Sequence, residues 1–284
     1  MKQDSKASRA RIWFEALTGR SIAIAAGTVA ATDGSLGNET VRFLSVIPDP
    51  GNRYPRVRNG EMGLEEAWRI AKYVYEVINV EEQGLKRPIV AIVDIPSQAY
   101  GLREEALGLH LACAAATNAY ATARILGHPV IALVVGRALA GAFLAHGYQA
   151  NLILALDAPG ITIHAMGRHA AAKITRSSMS ELDKRAAEII PLSYDLHRYA
   201  ELGILHKLIG HVDADAPSKP QIELVRQELA EAIKDARLGP RDLSNRLSSP
   251  GALRTRRASR EVRQRLTEQW TAHSQTLNSV SEQI

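Results

Sequence analysis

Residues 87–101 read RPIVAIVDIPSQAYG, and residues 128–147 read HPVIALVVGRALAGAFLAHG. Each follows a proline with an unbroken apolar run. Short runs without alternation mark strands buried on both faces, as parallel strands are. Between them, Leu102 to Leu126 reads as one long helix. Glu104 and Glu105 suit the positive end of its dipole, and Gly127 suits its C-terminal cap. Strand, long helix and strand make a right-handed crossover with a parallel pair. The loops after both strands therefore leave from one edge, where open parallel sheets bind ligands.

Outward from this unit the pattern is α/β throughout. SIAIAAGTVAA (21–31) and VRFLSVIPDP (41–50) read as strands around a polar turn, and 49–63 as a loop. Over 64–79, Ala67, Ile70, Ala71, Val74, Val77 and Ile78 share one helical face. Short strands are expected at 151–156 and 161–164, with helices over 165–175, 180–188 and 193–202. An edge segment follows at 203–209, then an amphipathic helix at 221–237. No linker divides residues 1–240, which read as one domain. Residues 241–284 form a basic extension, with eight Arg against four acidic residues. They hold four of the chain's five net positive charges. Such a tail is either solvated or meets an acidic partner. It has one aromatic, Trp270, and no nucleic-acid motif, so nucleic acid is not expected.

The single cysteine, Cys113, excludes an internal disulfide and fits a reducing compartment. The N-terminal residues lack the apolar core of a signal peptide. The uncharged stretches 106–123 and 138–156 each contain His and Asn, so they read as packed interior rather than membrane spans. A cytoplasmic protein is expected.

The chain contains no G-x-G-x-x-G, P-loop, paired CxxC, HExxH or G-x-S-x-G. His164 and His169 stand five apart without further ligands, so no metal is expected. His146 is either a packing residue or a ligand contact. The remaining feature is the glycine turn from Gly136 to Gly141. The first amides of a helix lack intrahelical partners and carry partial positive charge. Amides at Gly141 and Ala142 would hold an enolate or tetrahedral oxyanion without a catalytic side chain. Equally, small residues there permit a helix to pack on a strand. Spacing leaves both readings open.

VDIPSQAYG, the REE that follows it closely, HPVIALVVG and AGAFLAHG together resemble the carboxyltransferase branch of the crotonase superfamily. Its loops read D-T-P-G-A-Y-P-G and G-G-S-G-G-A. GAFLAHGYQAN, IHAMGRHAAAKIT and SYDLHRYAELGILHKL resemble the gamma subunits of biotin-independent malonate decarboxylases, over about residues 10–210. The resemblance implies a crotonase-like ββα spiral core and a homologous beta subunit as partner. It implies decarboxylation of a malonyl thioester to an acetyl thioester and CO2. The substrate would ride on the phosphopantetheine-type arm of an acyl carrier protein or CoA, loaded by an acyl-carrier transferase subunit. No cofactor would be bound directly. Gly141 and Ala142 would form the oxyanion site, and Gly136, Arg137, Ser97, Gln98, Ala99, Tyr100, Gly101 and His146 would contact substrate. The chain departs from the pattern at Ala142, where the carboxyltransferase turn has glycine. It also departs at Arg137, where that turn is small, and at Ser97-Gln98, where the loop has glycine. Two alternatives stand beside this. One is a structural subunit whose alanine-rich helices complete the beta subunit's site. The other is a biotin-dependent acyl-CoA carboxyltransferase of the alpha type.

Overall fold

The computed structural model describes residues 8–22, 27–80 and 84–281. β3 (Ile89–Ile95) and β4 (Val130–Leu139) pair in parallel at the centre of a seven-stranded sheet. Their residues 89–93 and 130–135 are fully buried, as unbroken apolar runs require. β2 (Glu39–Val46) extends the parallel sheet on one side, and β5 (Leu152–Leu156) and β7 (Lys207–Ile209) on the other. β1 (Val29–Leu36) pairs antiparallel with β2 across a two-residue turn, Gly37-Asn38, where Gly37 takes φ 57°.

The first strand is thus shifted from the expected 21–31. It runs on to Leu36 because Leu36 and Val41 are buried, which fixes the hairpin register. Residues 23–26 of that expected strand lie outside the described residues.

β4 is longer than its apolar run. Beyond a register shift against β3, Ala138 pairs with Ile95. The same half, Arg137 to Leu139, pairs in parallel with β6 (Thr162–His164). One strand therefore pairs with β5 through its first part and with β6 through its last.

The expected helix over 102–126 is two helices, α3 (Leu102–Ala106) and α4 (Leu109–Ile125). Gly108 separates them at φ 87°, a left-handed value that no helix continues. α2 (Leu64–Ile78) packs on α4 through its apolar face. α1 (Arg9–Thr18), where no helix was anticipated, buries Trp13, Phe14 and Leu17 and contacts β1 to β4. The Trp13 indole donates to the Ala214 carbonyl at 3.0 Å. α9 (Lys219–Leu238) packs beside α1 and against β1 and β4.

α5 (Ala140–Ala145) follows β4 directly. α6 (Arg168–Thr175), α7 (Met179–Glu188) and α8 (Leu196–Ala200) follow β6; α8 is half the length expected over 193–202. The basic extension is helical: α10 (Asn245–Ser248), α11 (Pro250–Thr255) and α12 (Arg257–Ser281). Among the described residues, no helix is long and apolar enough to cross a membrane.

Candidate active site

The loops leaving the carboxyl ends of β3, β4 and β6 converge on a cavity of about 540 Å³. That is an ordinary size for a small-molecule site. Ser97, Gln98 and Tyr100 come from the first loop, Ala140 and Gly141 from the second. Ala165, Met166 and Gly167 come from the third, with Ala170, Lys173 and Ile174 of α6. Most of the lining is apolar. Its charges are Arg56 and Lys173, and no carboxylate lines it among the described residues.

The β3 loop is held rigidly. Met62 N donates to the Ser97 carbonyl at 3.1 Å, and Ala99 N donates to the Met62 carbonyl at 2.8 Å. The Ser97 hydroxyl donates to the Gln98 carbonyl at 2.7 Å. The Arg56 guanidinium lies 3.8 Å above the Tyr100 ring, a cation–π contact at the cavity wall. Arg56 also pairs with Glu61 at 3.5 Å.

The β4 turn is built by close approach. A Cβ at Gly136 would overlap the Asp94 carboxylate, so only glycine fits. Asp94 Oδ1 accepts from Arg137 N at 3.0 Å and lies 3.6 Å from its guanidinium. The chain then enters α5 through Ala140 at φ 59°, an unusual conformation for a residue with a Cβ. Gly141 N–H donates to Gln98 Oε1 at 3.1 Å. The loops after β3 and β4 are thus joined across the head of the cavity.

The wall from β6 is clamped differently. His164 stacks on Tyr194, with ring centroids 4.0 Å apart, and its Nδ1 lies 2.8 Å from the Met166 carbonyl and 3.1 Å from Met166 N. The Tyr194 hydroxyl donates to the Met166 carbonyl at 2.7 Å. Burial holds the His164 pKa below its ordinary value.

Residues 57–270 match the malonate decarboxylase gamma subunit family. The chain belongs to that family. It resembles the corresponding chain of a Pseudomonas malonate decarboxylase hetero-tetramer in complex with coenzyme A. Identity is 48%, the TM-score is 0.86, and 93% of this chain and 100% of that one are covered. A malonyl-S-ACP:biotin-protein carboxyltransferase of Malonomonas rubra is 36% identical over 192 residues, 66% of each chain. At 20% identity and a TM-score of 0.57, transcarboxylase 12S shares the fold over 75% of this chain and 37% of its own. The fold is the crotonase-like spiral expected from the sequence. The matched region differs from the expected 10–210: it begins later and includes α10, α11 and the first half of α12.

Of the anticipated site residues, Ser97, Gln98, Tyr100 and Gly141 meet at the cavity. The others do not, and each has a physical reason. Ala142 is fully buried, so its amide is closed to a ligand in this arrangement. Ala99 is buried beside Tyr54 and Val57. Gly101 is extended at the start of α3, and Gly136 with Arg137 serves Asp94 instead.

Of the two readings of His146, the structure places it as a packing residue. It is wholly buried, with Nδ1 2.9 Å from the Tyr120 hydroxyl and Nε2 3.2 Å from the Ile92 carbonyl. A carbonyl only accepts, so Nε2 carries the proton and the Tyr120 hydroxyl donates to Nδ1. Burial lowers its pKa to about 4, keeping it neutral. It fastens α5 to β3 and α4.

Arg56 and the α6 wall were not foreseen. Lys173 was the available sign, one cation among alanines in AAAKIT.

Proposed function

We propose that this chain is the gamma subunit of a biotin-independent malonate decarboxylase. With a homologous beta subunit it decarboxylates a malonyl thioester carried on the phosphopantetheine-type arm of an acyl carrier protein or CoA. An acyl-carrier transferase subunit loads that arm, and the complex works in the cytoplasm. One observation carries the chemistry. At the head of the cavity, the Gly141 amide already holds a carbonyl-type oxygen, Gln98 Oε1. A thioester carbonyl turning into an enolate presents its oxygen to the carboxamide held in this way.

Losing CO2 leaves two electrons on the α-carbon, delocalised onto the thioester oxygen. Fixed donors in a water-poor cavity favour that shift without an activated nucleophile. Gln98, held by the Gly141 amide, supplies the donor, while Lys173 and Arg56 attract the malonyl carboxylate or the arm's phosphate. Leu102, Leu107, Leu111 and Leu144 are exposed on α3, the following turn, α4 and α5 beside this edge. Such a patch supports burial against a partner.

Reconstitution with the beta subunit and an assay of malonyl-thioester decarboxylation test the reading. A Gly141→Val variant that still assembles should lose about 10²-fold or more in turnover, because its side chain crowds the Gln98 carboxamide and misplaces the oxyanion donor. Unchanged turnover overturns the oxyanion role at this turn. The Malonomonas relative favours a second reading, transfer of the carboxyl group to a biotin protein. Activity that survives avidin excludes it.

A further inference from the structure

We propose that the Gln98 carboxamide is itself the donor to the developing enolate oxygen, with Gly141 as its positioning residue. This rests on the decarboxylase reading above.

A carboxamide has two unlike ends. Its oxygen accepts, and its nitrogen carries two donors. The Gly141 N–H fixes which end is which, since a reversed amide would set donor against donor. Gly141 N–H is therefore spent on Oε1, and Nε2 is turned away from it. Gln98 lines the cavity, and its nitrogen has no hydrogen-bond acceptor among the described residues. Nor is Nε2 a buried atom without a partner. The free donors of Gln98 are therefore available to a ligand in the cavity that this residue lines.

The backbone beneath is immobilised. Gln98 bridges Met62 in parallel fashion, and bonds flank it at Ser97 and Ala99. The side chain is tied at its far end to a second loop. A donor fixed at both ends needs little reorganisation when charge develops, which is what oxyanion stabilisation requires. The Gly141 bond also polarises the carboxamide, strengthening Nε2–H as a donor by a modest fraction.

The step balances as follows. The bond between the α-carbon and the carboxylate carbon breaks, and CO2 leaves. Its electron pair forms the enolate double bond, and the thioester π pair moves to oxygen. Gln98 Nε2–H donates a hydrogen bond to that oxygen throughout. The oxygen's electron pair then re-forms the thioester carbonyl as the α-carbon takes a proton from water, giving the acetyl thioester and hydroxide.

The test uses the reconstituted complex with Gln98→Ala and the isosteric Gln98→Glu, assembly being checked by sedimentation. Both should lose about 10² to 10³-fold in kcat with little change in KM. Gln98→Glu should regain activity relative to wild type, by tenfold or more, as pH falls and its carboxyl group takes up a proton. The neutral acid again accepts from Gly141 and donates into the cavity, whereas a merely structural role gives no such profile. Wild-type or higher kcat with lower KM in Gln98→Ala would mark the side chain as a displaced plug and overturn the proposal. So would a flat relative pH profile in Gln98→Glu. A wild-type complex that fails to decarboxylate malonyl thioesters would instead sink the underlying reading, before any variant is made.

Discussion

Gly136 and Ala140 bracket the turn that brings Gly141 to the cavity, and they do it by opposite means. Gly136 is glycine because the Asp94 carboxylate occupies the space of a side chain. Gly136→Ala should destabilise the chain by about 1–3 kcal/mol, read as a lower denaturant midpoint. Ala140 carries a Cβ at φ 59°, where a left-handed backbone costs an L-residue about 1–2 kcal/mol. Ala140→Gly should relieve part of that strain and leave stability unchanged or raised by up to about 1 kcal/mol. His146 gives a pH signature. Its folded pKa is about 4 against an ordinary 6.5. The buried neutral ring therefore supports the fold fully above 6.5. That support is lost as pH falls from 6.5 to 4, in total on the order of 3 kcal/mol. Denaturant midpoints over that window should fall with pH, and His146→Gln should flatten the slope.

The extension from residue 241 divides by its contacts. Arg246 is buried and donates to the carbonyls of Tyr148 and Ala150 at 2.8 and 2.6 Å, with its guanidinium 4.7 Å above the Tyr148 ring. α12 shows Val262, Leu266 and Trp270 to solvent, touching the rest of the chain chiefly through α11. A chain ending at Arg256 should keep the thermal midpoint of the full chain. One ending at Pro240 should lose several kcal/mol, because Arg246 no longer satisfies those carbonyls. Calorimetry of the two truncations separates the cases. Any affinity of the basic helix for an acidic carrier should then be tested with the longer truncation, whose body is intact. The break at Gly108 belongs here too. Composition reads 102–126 as continuous, because helix propensity does not record that α3 buries no residue.

Across the molecule, three parallel strand ends assemble one cavity from separate segments between Pro96 and Gly167. Lys173 and Arg56 enter it from positions 117 residues apart in the sequence. Removing one such partly exposed charge should weaken substrate binding by about fivefold, on the order of 1 kcal/mol. Lys173→Gln should therefore raise KM with little change in kcat, and added salt should narrow the difference. The exposed leucines of the same edge make a separate prediction. Leu107→Asp with Leu111→Asp should reduce co-purification with the beta subunit at least tenfold while leaving the thermal midpoint of the isolated chain nearly unchanged.

The apolar runs 89–93 and 130–135 were legible because fully buried strands need no alternation, and their spacing dictates a parallel crossover. That alone placed Ser97, Gln98, Tyr100 and Gly141 on one edge. Order and chemistry of motifs carried the family. Local patterns could not report which amides stay open. Ala142 and His146 read like site residues, yet both are sealed by packing from other elements. Gly141 reads as a free donor, yet Gln98, forty-three residues earlier, already accepts from it. Burial and hydrogen-bond partnership are set by residues distant in the chain, so they emerge only when the sheet closes.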